Sequence, residues 1–337
     1  MSPARMMLSA EPGGATSDVI IGLNAVVVAV SDGEPRVLVV RPLDGAAGSR
    51  DALPSGPFDP TEHRTLEIGL RSWVEAQTRE TLGYVEQLYT FGDRGRDPRE
   101  VDGGPRYVSV GYLALSKEAV RMETDDAAWR DWYRFFPWED WRQGEPDVLA
   151  KSIRPALAAW AGAGAEALLQ RERRQRIQIA FGADVPSWND ELVLERYELL
   201  YEAGLVAEAA LDRGRRLSAA DAAGLPGEAM AHDHRRILAT AIGRLRGKLK
   251  YRPVIFEVMP SSFTLLQLQH AAEAMAGLKL HKQNFRRLIE ARGLVERTSA
   301  TVTGSHGRPA ALFRFRAEVR KERMTPVGKL PAQPRGH

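Results

Sequence analysis

Two apolar runs rich in β-branched residues, VIIGLNAVVVAV and VLVV, flank the stretch SDGEP, whose Asp-Gly pair lies at 32–33. β-Branched runs joined through Asp-Gly form a hairpin, because both central turn positions accept positive φ. The 19–41 segment is therefore predicted to be a β-hairpin, and the elements downstream must pack against it. LPSGPFDP at 53–60 reads as a rigid bend rather than regular structure. Leu70, Trp73, Val74, Gln77 and Leu82 recur at helical spacing and predict a helix over 65–82. VEQLYTFGD and the alternating RYVSVGYLALS read as strands on either side of the charged loop RGRDPREVDGGP. Strands, one helix and more strands predict an α+β sandwich up to about residue 141.

The texture changes after residue 146. RPALAAWAGAGAEALLQRERRQRIQIAF and NDELVLERYELLYEAGLVAEAALDRG have helical spacing, with Ser187 or Asn189 as an N-cap and Gly204 as a stop. No catalytic constellation lies there, and a helical spacer or dimerisation element is expected. HDHRRILATAIGRLRGKLKY is predicted to be an amphipathic helix with a basic polar face. Thr264 and Gln267 form the signature of a capping box. Two further helices, the second over 281–290, and two strands around GSHGRP complete the outline of a winged helix-turn-helix. The expected organisation is a tail over 1–18, a sensing domain over 19–145, and a helical insertion over 146–231. A DNA-binding domain over 232–320 and a tail over 321–337 complete it.

Charge sorts along the same division. Residues 232–337 hold 21 Lys+Arg against 7 Asp+Glu, whereas residues 1–231 hold 26 against 37. Such asymmetry points to a polyanionic partner for the second part alone. The chain has no cysteine, which excludes disulfides, thiolate nucleophiles, zinc ribbons and iron–sulfur clusters. The first 18 residues are too polar for a signal peptide, and no apolar run is long enough to span a membrane. A cytoplasmic protein is expected.

On the second helix of the helix-turn-helix, Lys282, Gln283, Arg286 and Arg287 are the candidate base readers, since Lys and Arg read guanine and Gln reads adenine. Asn284 either joins them or satisfies backbone groups at the helix start. Phe285, Leu288 and Ile289 are expected in the core. His306 and Arg308 sit at the wing tip, within reach of phosphate or minor groove. Arg244, Arg246, Lys248 and Lys250 on the preceding helix suit phosphate neutralisation. His232 and His234 are two residues apart, do not share a helix face and have no evident third metal ligand. Asp233 between them is read as an N-cap.

The 65–82 helix contains Arg71, Ser72, Glu75 and Ala76. A Nudix box clusters carboxylates after an Arg so that a divalent metal can face a diphosphate. Here Ser72 and Ala76 replace two of those carboxylates, and His63 stands where the upstream Glu belongs. Only Arg71 and Glu75 match, and the two also fit a simple i, i+4 ion pair. Divalent-metal hydrolysis and a catalytic cofactor are therefore not expected. The rival reading, an active pyrophosphatase with an accessory nucleic-acid-binding domain, would need Glu67, Glu75, Glu80 or Glu86 to rebuild the metal site.

LGYVEQLYTFGDRGRDPR with RYVSVGYLAL, and HDHRRILATAIGRLRGKLKYRPVIFEVMPSSFTLLQLQ with the later NFRR and GRPA segments, resemble the Nudix-related (NrtR-like) transcriptional regulators. The resemblance covers roughly 19–141 and 232–316. It implies a Nudix-like α/β/α sandwich that has lost catalysis, joined to a winged helix in a homodimer that represses NAD-metabolism genes on operator DNA. The implied effector is an adenine nucleotide, usually ADP-ribose. The insertion at about 146–227 brings the length closer to the NadQ-type branch, which responds to NAD and ATP. For the diphosphate, Arg41, Arg71, Arg94 and Arg96 are candidates for charge-assisted hydrogen bonds, with Glu75 beside them. Phe58 and Tyr89 are candidates for stacking on adenine, Tyr89 alternatively belonging to the core. Asp93, Asp97 and Arg99 either order their loop or touch ligand.

Overall fold

The computed structural model describes residues 19–42, 50–94, 100, 104–117, 126–164, 166–182, 188–251, 254–302 and 309–316. Its centre is a mixed sheet. Strands β1 (Val19–Ser31) and β2 (Glu34–Val40) form the expected hairpin, with Asp32 and Gly33 at φ 55° and 75° in the turn. Next come β3 (Ser55–Pro57), helix α1 (Leu66–Thr78), β4 (Tyr84–Phe91), β5 (Arg106–Leu115) and β6 (Ala127–Asp131). The strand order is β4-β5-β1-β2-β6, with β3 on β1; β1 and β5 run parallel and the other pairs antiparallel. Both faces are apolar, as the near-continuous Val-rich runs require. Leu23, Ala25, Val27, Leu38 and Ala114 pack with Leu70 and Val74 of α1. The alternate set, Val26, Val28, Val37, Val39, Leu113 and Leu115, faces the other way.

The chain continues through α2 (Arg154–Gly162), α3 (Ala167–Phe181), α4 (Val193–Glu202), α5 (Ala207–Leu211), α6 (Ala219–Ala223) and α7 (His234–Tyr251). Of these, α7 packs directly on that second face, and residues of α2 to α5 extend the same core behind it. The run of helical spacing over 154–181 forms two helices, α2 and α3, and Gln170 Nε2 donates to the carbonyls of Gly162 and Gly164 between them. Asn189 does not cap α4. Leu192 holds the N-cap position, while Asn189 Oδ1 accepts from Glu191 N at 3.0 Å in a local turn; Ser187 lies outside the described residues.

Helix α7 corrects the sequence reading most. Expected as the basic head of the DNA-binding domain, it lies on the sheet. Its Ile237, Leu238, Ala241, Ile242 and Leu245 join the core beneath Val26 and Val28. A Cβ at Gly111 of β5 would stand 3.0 Å from Ile237 Cγ2, so glycine sets how closely helix and strand approach. The sandwich is thus completed by a helix more than a hundred residues downstream of its last strand.

The winged helix comes last: α8 (Leu265–Ala276), α9 (Lys282–Ala291), β7 (Val295–Val302) and β8 (Ala310–Phe315). Thr264 and Gln267 form the predicted capping box. Met259, Phe263, Leu268, Phe285, Ile289 and Phe315 make its core, and Phe263 bridges to Phe313 beside the wing. Among the described residues, no helix is long and apolar enough to cross a membrane.

The parts meet at Glu139, which is fully buried. Its carboxylate accepts from Arg196 Nε and Nη2 at 2.6 and 2.9 Å and from Arg246 Nη1 at 2.6 Å. Burial alone would raise the Glu139 pKa, but the attraction and hydrogen bonds of the two guanidiniums prevail and hold it below the ordinary carboxylate value. A depressed folded-state pKa contributes stability at neutral pH that is lost as pH falls through that value. Glu139→Ala leaves two buried cations uncompensated. We expect it to lower unfolding free energy by about 3–5 kcal/mol, read from the denaturant midpoint; an unchanged midpoint would show that the pair carries no net stabilisation.

Candidate functional site

A cavity of about 230 Å³ opens beside β1 and β3. Asn24, Gly22 and Ile20 of β1, Ser55 and Gly56 of β3, Gln77 at the end of α1 and Tyr107 of β5 line it. Arg41 stands at its wall, and His232 and His234 close it from the start of α7. The volume is below the roughly 300–1,000 Å³ of a site enclosing a whole ligand, so it can enclose only part of one. Gln77 fixes the rim, accepting from Ser55 N at 3.0 Å and donating to Ser55 O at 2.7 Å. Asn24 is buried within an apolar strand and donates to Gly22 O at 3.3 Å. His234 Nδ1 accepts from Leu53 N at 2.9 Å, and Ala231 N donates to Asp51 O at 2.9 Å, which ties the entry to α7 against the cavity floor.

Of the expected ligand residues that the structure describes, only Arg41 is brought to this cavity. It is exposed and 3.7 Å from Asp126. Arg71 is engaged elsewhere: its guanidinium donates to the carbonyls of Leu82 and Gly83, and its ion pair is with Glu67 at 2.9 Å, not with Glu75. Glu75 is exposed. Phe58 packs on the α1 side of the sheet, 5.9 Å from the His63 ring. Arg94 is exposed beyond the end of β4, and Tyr89 is exposed rather than in the core. Asp93 pairs with Arg236 at 2.7 Å, which fits loop ordering. Arg96, Asp97 and Arg99 lie outside the described residues.

The carboxylates needed to rebuild a metal site do not converge. Glu67 is held by Arg71, Glu86 by Lys248 and Tyr84, and Glu80 is pushed up in pKa by burial. Among the described residues, no group of three or more His, Asp or Glu is arranged as a metal-ligand set.

The polyanion-binding candidates divide by helix. Lys282, Gln283, Asn284, Arg286 and Arg287 on α9 are all exposed, and among the described residues its cations form no ion pair. Phe285 and Ile289 turn inward, whereas Leu288, expected in the core, is 47% exposed. On α7 the structure contradicts the assignment of Arg246. Arg246 is fully buried against Glu139 and the Asp190 and Met275 carbonyls, so it cannot meet phosphate. Lys248 pairs with Glu86, and Lys250 with Asp190 and Glu191. Arg244 is exposed but borders a groove shared with Glu86, Glu191 and Glu195. Apparent basic character in α7 is consumed by burial and by acidic neighbours that lie far away in sequence. His306 and Arg308 lie outside the described residues.

Sequence reasoning missed Asn24, Gln77, Tyr107 and the role of the two histidines. The available signals were an asparagine interrupting a Val-rich strand and a glutamine on an apolar helix stripe.

Residues 255–315 match the NrtR DNA-binding winged helix domain. The ADPR responsive transcriptional repressor NtrR of Acinetobacter baylyi is 38% identical over 86 residues, covering 26% of this chain and 34% of that protein. The chain thus spans about a third of the length of that curated relative. Shewanella oneidensis NrtR complexed with a 27mer DNA has a similar fold, with TM-score 0.52 and 21% identity over 89% of this chain and 95% of that one. A second structure of Shewanella oneidensis NrtR gives TM-score 0.51 and 21% identity over 88% and 94%. In fold the chain is similar to these NrtR structures, a Nudix-like sandwich followed by a winged helix.

Arg71→Ala removes a charged donor from two backbone carbonyls. We expect a lowered melting temperature, corresponding to about 1–3 kcal/mol; an unchanged melting temperature would return Arg71 to a ligand-binding role.

Proposed function

We propose that this chain, NrtR-like in its winged helix and its domain order, is a DNA-binding transcriptional repressor whose Nudix-like domain senses ADP-ribose. The observation that carries the reading is the exposed, cationic face of α9 within the segment matching the NrtR winged helix. Lys282, Arg286 and Arg287 read base edges in the major groove, and Phe285 and Ile289 anchor the helix from behind. The targets are genes of NAD metabolism, as the family resemblance implies. ADP-ribose is the first effector to test because the Acinetobacter relative is named for responding to it; NAD and ATP are the alternatives that the long insertion suggests.

The protein acts as a cytoplasmic homodimer on a two-fold operator, with half-sites about one helical turn or a multiple apart. It is a regulator and not a hydrolase. Support comes from Ser72 and Ala76 where a Nudix box places carboxylates, and from the prior engagement of Glu67 and Glu86.

The test is fluorescence anisotropy of DNA from upstream of NAD-biosynthesis genes, with and without ADP-ribose, NAD and ATP. Salt-sensitive binding altered by one nucleotide is expected, and its absence under all conditions would overturn the reading. Arg286→Ala and Arg287→Ala each weaken specific binding by about 1–3 kcal/mol, whereas Lys248→Ala leaves it unchanged. Equal losses for all three would place the DNA contact on α7.

A further inference from the structure

We infer that His232 contacts the bound nucleotide directly, so that the helix leading to the DNA-binding half forms one wall of the sensing cavity. The inference rests on the sensor reading above and adds the residue that reads the ligand.

Three observations converge on His232. It lines the cavity together with Asn24 and Gln77, from a segment shared with His234 that lies more than a hundred residues away in sequence from the other lining residues. Its backbone holds φ at 52°, in the left-handed region that non-glycine residues seldom occupy and that gathers at ligand clamps. Its neighbour His234 fixes the local geometry, with the two rings 5.3 Å apart and His234 bonded to Leu53 N. An imidazole offers both a donor and an acceptor, and Asn24 and Gln77 add neutral amides. Among the described residues of this lining, Arg41 is the only arginine or lysine. That set suits an uncharged end rich in hydroxyls, a ribose, with the diphosphate leaving past Arg41.

The consequence comes from where α7 goes. It starts at the cavity and, at 1.5 Å per residue, runs about 27 Å. Arg235 in its first turn donates to the carbonyls of Phe135 and Pro226, and Arg246 near its end donates to Met275 O on α8. A ligand that engages His232 therefore acts on a rigid element already joined to the winged helix.

The experiment uses the full chain and compares wild type with His232→Gly and His232→Asn. Both residues tolerate positive φ; only Asn keeps a hydrogen-bonding side chain. ADP-ribose affinity is measured by calorimetry, operator affinity by anisotropy, and folding by thermal melting. We expect His232→Gly to lose at least tenfold in ADP-ribose affinity, with ligand-free DNA binding within twofold and melting unchanged, and His232→Asn to recover part of the loss. Competition by AMP or by ribose 5-phosphate identifies which ribose enters. His232→Gly binding ADP-ribose as wild type does overturns this inference and leaves the sensor reading standing. Competition by pyrophosphate but by neither ribose compound also overturns it. No ADP-ribose binding by the wild type overturns both.

Discussion

One buried carboxylate holds the architecture together. Glu139 lies in the aromatic segment after β6, Arg196 comes from α4 and Arg246 from α7, and none of the three side chains reaches solvent. Each guanidinium also spends donors on carbonyls, Arg196 on Ala180 and Asn189 and Arg246 on Asp190 and Met275. A buried charge network is tolerable only when its donors are so completely satisfied. Satisfaction here requires sheet, middle helices and winged helix to be in place together. The 146–227 segment is thus part of the body: Leu157, Phe181, Val193 and Tyr197 sit in the same core as Val26 and Val28.

A second network repeats the device nearer the cavity. Arg235 is fully buried and bonded to Glu208 on α5 at 3.2 Å and to carbonyls at 135 and 226. Glu208 in turn accepts from Met230 N at 3.1 Å, fixing the segment that leads into His232. Two arginines eleven positions apart on α7 therefore pin its opposite ends, and the apolar residues between them rest on the sheet. Such a helix transmits displacement more readily than it absorbs it, because close-packed interiors shift between discrete arrangements.

How legible all this was depends on the range of the interaction. The hairpin and the capping box at Thr264 are written in local signals and form where their residues predict, whereas α1 stops at Thr78, before the expected Leu82, with Arg79 as a left-handed cap. The face of α9 agrees with helical period, with the exposed Leu288 the exception. What sequence could not show was the partner of each charge. Arg246 and Arg286 are indistinguishable as letters in basic helices, yet one is buried on Glu139 and the other exposed. The difference is made by an acidic residue 107 positions away. The same holds for Arg71, whose true partners are two carbonyls of the turn after its helix. Charge counts therefore marked 232–337 as the basic part of the chain but placed one of its helices in the wrong layer.

That reassignment bears on how a ligand and DNA can be coupled on the proposed reading. If α7 belonged to a winged helix tethered loosely to its sensor, nucleotide binding would need a new interface to be felt by DNA. With α7 built into the sandwich, cavity and winged helix already share a rigid element, and the ligand need only favour one seating of it. Thermodynamically the ligand can shift the equilibrium by no more than its difference in affinity for the two seatings. A site made entirely within the sheet would bind both seatings alike and regulate nothing. A site walled partly by α7 cannot be indifferent to where α7 lies, and this is the physical advantage of drawing cavity residues from a helix so far along the chain.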